Sequence, residues 1–115
     1  MSVVTGFVLV CSLAEQIGWA EHPPGSLEQI NDWLASREFQ GLADSADDHA
    51  LGNKHPQFFL YMAGYNYFPE DEFIAFFQTL RWFEPERVVL MLQPEYGPTR
   101  VVRPDPSSEL PPPPT

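Results

Sequence analysis

Apolar residues recur along the chain in two rhythms, and the changes of rhythm mark its elements. Residues 3 to 12, VVTGFVLVCS, are apolar at nearly every position and β-branched at Val3, Val4, Thr5, Val8 and Val10. Such a run suits a central strand that is apolar on both faces. EHPPGS then interrupts the pattern. Ser26 followed by Gln29 has the form of a capping box, and Leu27, Ile30, Trp33 and Leu34 recur at helical spacing. The pattern predicts a helix over 26–37.

Residues 39 to 56 are the least periodic, with room for a short strand at Phe39–Ala43 before a polar loop. A clearer strand signal is QFFLYMAGYNYF, residues 57 to 68. Alternation puts Phe59, Tyr61, Ala63, Tyr65 and Tyr67 on one face and Phe58, Leu60, Met62, Gly64 and Phe68 on the other. Pro69 suits the first position of a second helix, and Glu70, Asp71 and Glu72 complement its dipole. Phe73, Phe76, Phe77 and Leu80 form its stripe, extended by Phe83, and Pro85 ends it at Glu84. That makes a helix of about 14 residues, roughly 21 Å long. RVVLMLQ, residues 87 to 93, reads as a two-sided strand, PEYGP as a turn and TRVVR as a returning edge strand. From Pro104 onward the proline-rich sequence is expected to be a disordered tail, leaving one domain over 1–103.

The order is β-α-(β)-β-α-β-β. It matches an α+β fold of ferredoxin-like β-α-β-β-α-β order with an extra C-terminal edge strand. Two helices are expected on one face of an antiparallel sheet, leaving the other face open. If the helices cover the Phe58, Leu60 and Met62 side, then Tyr61, Tyr65 and Tyr67 lie open. Tyrosines suit an interface because they join apolar area to a polar tip. The opposite assignment buries them.

Composition narrows the function. The 115 residues hold 16 acidic and 6 basic side chains, a net charge of −10, and Lys54 is the only lysine. Such a surface repels phosphate backbones, which argues against direct nucleic-acid binding, and it attracts a basic protein partner. The acids cluster as Glu28 with Asp32, as Asp44 with Asp47 and Asp48, and as Glu70 to Glu72. Solvation is their simplest role and recognition of a basic partner the next. The apolar N-terminus has no Lys or Arg before it, and Glu15 stops it short of a membrane span. Val10 before Cys11 is not the small residue that lipoprotein processing requires. A single cysteine fits a reducing compartment, so a cytoplasmic location with no membrane partner is expected.

Chemistry-bearing patterns are sparse. Asp44, Asp47, Asp48, His49 and His55 are metal-binding types, but their spacing matches neither a calcium loop nor a structural zinc site. His22 stands apart from them. Cys11 sits within an apolar strand, which favours a buried, inert thiol over a nucleophile. The chain carries no glycine-rich phosphate loop and no nucleophile elbow. No cofactor is expected.

In size and charge the chain resembles, in general character, the small acidic immunity proteins and antitoxins of bacterial conflict systems. The resemblance is one of type and covers no defined segment. It implies a non-enzymatic protein that neutralises a basic toxin or effector, with Tyr61, Tyr65, Tyr67, Asp44, Asp47 and Asp48 as partner-binding residues. A DNA mimic ranks lower, because the acids are clustered rather than evenly striped. A small-ligand or enzymatic domain is the third class, with Tyr61, Tyr65, His22 and His55 as its candidate residues and homodimerisation through the open sheet face as an accompanying possibility.

Overall fold

The computed structural model describes residues 3–18, 25–44 and 58–108. It is an α+β fold built on an antiparallel sheet. The elements are β1 (Val4–Ser12), α1 (Leu13–Gly18), α2 (Ser26–Ser36), β2 (Ala43–Asp44), β3 (Phe58–Asn66), α3 (Glu70–Phe77), β4 (Val89–Pro94) and β5 (Arg100–Val102). Among the described residues the strand order is β2-β3-β1-β4-β5, and every pairing is antiparallel. The β-branched first strand therefore lies at the centre, with Leu9 opposite Tyr61 on one side and Leu90 on the other.

One face of the sheet is buried. Thr5, Phe7, Leu9 and Cys11 of β1 point into it, with Tyr61 and Tyr65 of β3 and Leu90 and Leu92 of β4. They join Ile30, Trp33 and Leu34 from α2 and Phe73 and Phe77 from α3 in a single core. Phe73 is its hub, with ring centroids 5.2 Å from Phe7, 5.0 Å from Trp33 and 5.4 Å from Phe68. The Phe7 and Trp33 contacts are edge-on, the geometry that aromatic quadrupoles favour.

Helix boundaries depart from the pattern for local reasons. Ser26 does not cap α2. Its hydroxyl donates to the Arg81 carbonyl instead, and Gly25 occupies the cap position. The short α1 grows directly out of β1, where the apolar run masked the change of period. The second expected helix ends at Phe77 rather than at Glu84. There Thr79 Oγ1 donates to the Phe76 carbonyl, while the Thr79 and Leu80 amides bond three residues back, a tightened turn that stops the helix. Leu80 and Trp82 still reach the core, from the segment beyond it.

Three carboxylates fasten this frame. Glu15, fully buried, accepts the Phe83 amide at 3.1 Å and the Glu84 amide at 2.8 Å. It ties α1 to the stretch that follows α3. Glu70, at the start of α3, accepts Thr5 Oγ1 at 2.9 Å, and Arg100 of β5 pairs with Asp71 at 2.8 Å. The acids that open α3 thus bind the sheet as well as complementing the helix dipole. Of the residues expected to form the tail, Pro104 is buried and Pro106–Ser108 form one 3-10 turn. The Ser107 amide and then its hydroxyl bond the Asp105 carboxylate and hold it below its ordinary pKa.

Candidate functional site

The expectation of an open tyrosine face is corrected for two of its three residues. Tyr61 and Tyr65 are 8% and 6% exposed, on the covered side of the sheet. Tyr65 stacks on Phe68 at 5.1 Å and donates its hydroxyl to the Gln40 carbonyl at 2.8 Å. Burial pushes its phenol pKa from 10.0 up to about 12. The phenol supplies both the apolar body that the core needs and a satisfied polar tip. Tyr67 alone is exposed, at 67%, just past the end of β3. Its φ is +53°, and its amide donates to the Val3 carbonyl at 2.8 Å. This left-handed residue reverses the chain and lets the next residue, Phe68, enter the core.

The open face belongs to the other alternating set. On β3 it consists of Phe58, Leu60, Met62, Gly64 and Asn66, on β1 of Val4, Gly6, Val8 and Val10, with Ser12 next in the alternation but buried, and on β4 of Val89, Met91 and Gln93. The register lines them up in rows. Met62, Val8, Met91 and Val101 lie side by side on four strands, and the next row is Leu60, Val10 and Val89. Phe58, Met62, Met91 and Val101 are exposed at 42%, 49%, 37% and 60%. None of these residues is charged.

Relief across this surface follows side-chain size. In the row of Val8 the flanking strands contribute the longer Met62 and Met91, whereas Gly64 stands opposite Gly6 and Val89 opposite Val10. Val8 and Val10 are correspondingly less exposed than Met62 and Met91. The result is a local dip at Val8, between Met62 and Met91. Carboxylates stand at both ends of β1, and Glu84 is also paired with Arg87 at 3.1 Å. Glu95 Oε2 accepts the Val4 amide at 3.1 Å, and Glu84 Oε1 accepts Ser12 Oγ at 3.1 Å. At the Glu95 end the turn between β4 and β5 adds Tyr96, also 67% exposed.

From strand spacing and rise, the nine residues each of β1 and β3 with the shorter strands beside them define a face on the order of 400 Å². That is as large as the biggest apolar patch on a typical monomer, yet smaller than the roughly 800 Å² each partner contributes to a standard interface. A partner seated here therefore also covers the rim, where the carboxylates stand.

Of the other sequence candidates, Asp44 lies in the edge strand β2, opposite Tyr61 in the register. Asp47, Asp48, His49, His55 and His22 lie outside the described residues. Among the described residues no three His, Cys, Asp or Glu side chains gather as metal ligands. Cys11 is buried on the core side of β1. A surface hollow of about 280 Å³ is lined by Pro85, Glu86, Arg103, Pro104 and Pro106, a set that includes no nucleophile. No helix among the described residues is long and apolar enough to cross a membrane. No protein-family model matches the chain, and no significant match was found among the curated proteins or the solved structures.

Proposed function

We propose that this chain is a non-enzymatic binding protein that engages and neutralises a basic protein, of the class that includes toxins and effectors, through its open sheet face. The carrying observation is an uncharged, half-exposed apolar face on a chain of net charge −10. Acids on the rim and the helical side steer a basic partner, and the neutral face allows close desolvated packing once it arrives. Tyr67, kept from the sequence-based set, stands at the end of this face with Tyr96 and offers an aromatic anchor. On the fold, we read the chain as ferredoxin-like with β5 as an added edge strand. The support is the order β2-β3-β1-β4 with antiparallel pairings throughout.

The test is capture from the native host by tagged wild-type chain and by the Met62→Asp/Met91→Asp variant, followed by titration of the purified captured protein at two salt concentrations. The expected partner is basic. Its association should slow with salt, and its affinity should drop at least tenfold for the double variant (about 1.4 kcal/mol). An acidic partner, or one that binds both forms equally, overturns the reading.

A further inference from the structure

Sulfur is unevenly placed in this fold. The chain has one cysteine and three methionines, of which Met1 lies outside the described residues. Cys11 is fully buried on the core side of β1, out of reach of dissolved oxidants. Met62 and Met91 are both on the open face, 49% and 37% exposed. The register sets them in one row, Ala43, Met62, Val8, Met91 and Val101, with a single residue of β1 between them. Their strands are two spacings, or about 9.6 Å, apart. No side chain of that row is polar. The fold therefore shields its thiol and presents two thioethers together on its uncharged surface.

An exposed thioether has a definite chemistry. Its sulfur attacks one oxygen of a peroxide, the O–O bond breaks, and the other oxygen leaves as water after proton transfer. The sulfur gains one oxygen and gives up two electrons, which reduce the peroxide. The product sulfoxide is polar where the thioether was apolar. In a packed core that change disrupts the fold, but here both side chains are already partly in water. What changes is the surface. A protein packing against Met62 and Met91 would have to strip water from two sulfoxide oxygens.

We propose that Met62 and Met91 form a paired oxidation site, at which peroxide-class oxidants turn the open face from apolar to polar and release the bound basic protein. The release rests on the reading of this face as the binding surface, and the oxidation site does not. Reversal takes the two stereospecific methionine sulfoxide reductases and a dithiol. The dithiol is oxidised to its disulfide as the sulfoxide oxygen leaves as water.

The full chain is treated with hydrogen peroxide and followed by peptide mass mapping, thermal melting and retention on a hydrophobic-interaction matrix. Met62 and Met91 should each gain one oxygen, at rates within about fivefold of free methionine, while Cys11 stays a thiol. The thermal midpoint should move by no more than about 4 °C. Retention should fall, and the reductases should restore it. Met62→Leu/Met91→Leu is the blocking variant, because it keeps an apolar face of similar volume, lacks the two sulfurs and retains Met1. Its retention should not respond to peroxide.

Protection of either methionine more than about tenfold below free methionine would overturn the proposal. So would unchanged retention, melting of the fold on oxidation, or an equal response from the Leu variant. The captured basic protein separates the two readings. Its affinity should fall about tenfold or more for peroxide-treated wild type and stay constant for the treated Leu variant. If binding ignores peroxide but responds to Met62→Asp/Met91→Asp, the open face stands and the oxidative release is overturned. If binding ignores both, the open face is the wrong surface and the release falls with it.

Discussion

The two faces of this sheet are built from similar apolar side chains and behave oppositely. On the covered side, Phe7, Tyr65, Phe68, Phe73 and Trp33 interlock ring against ring, and the Tyr65 hydroxyl and the Glu15 carboxylate are bonded within the fold, while the buried Trp82 indole N–H has no acceptor among the described residues. On the open side, Met62, Met91, Val101 and Phe58 lie in rows with no second layer above them among the described residues. Apolar content therefore does not distinguish the faces. What distinguishes them is whether their large side chains have partners to interlock with.

Truncation on the two sides gives the largest contrast. Phe73→Ala should cost about 4 kcal/mol of stability in urea unfolding, because it opens a cavity that its ring neighbours cannot close. Met62→Ala should cost about 1 kcal/mol or less, since half of its side chain is already in water. Similar losses at the two positions would erase the distinction. Next comes Glu15. Glu15→Ala leaves two amides unsatisfied in the interior and should cost about 3 kcal/mol, with Glu15→Gln recovering part through its remaining acceptor oxygen. A loss under about 1 kcal/mol would mean that the covered side needs no polar clamp.

Alkaline titration probes the same side at lower amplitude. The Tyr65 phenol rises from 10.0 to about 12 on folding, so the folded state favours the protonated form. Its contribution is fully present below pH 10 and is lost as pH climbs toward 12, by about 2 kcal/mol. Tyr65→Phe should remove that part of the dependence in denaturant melts taken from pH 9 to 12. An unchanged profile would show that Tyr65 does not carry it. The smallest expected effect lies at the edge of the open face. Tyr67→Gly relieves a positive φ on a bulky residue and should raise stability by about 0.5–1 kcal/mol. A loss instead would mean that the exposed ring packs against the fold enough to outweigh the backbone strain.

The elements were legible in the sequence where one rhythm ran undisturbed. The strands at Val4–Ser12 and Phe58–Asn66 and the helix Ser26–Ser36 fall within or beside the expected spans. What periodicity could not resolve was the side of the sheet. Both alternating sets of residues 57–68 are apolar, so a shift of one residue exchanges one plausible core for another. The tyrosine set is buried because Phe7, Phe39 and Phe68 supply rings for Tyr65 to meet and Gln40 an acceptor for its hydroxyl. Phe68 is only three residues on, but Phe7, Phe39 and Gln40 come from distant parts of the chain and leave no local trace. The open surface was hidden for the same reason. Met62, Val8 and Met91 become neighbours only through the register, and no short stretch of sequence places them together.

The central position of β1 has a consequence for biosynthesis. Its two neighbours, β3 and β4, come much later in the chain, and β4 is not complete until Pro94. At about 5–20 residues per second, the roughly 80 residues after Ser12 take some 4–16 s to emerge from the ribosome. For that interval the most β-prone segment of the protein has no complete set of strand partners. Closing the sheet then requires pairings far apart in sequence, which slow folding. The nascent chain is thus a natural client for holding chaperones, and the ribosome releases a protein whose first strand is among the last to be enclosed.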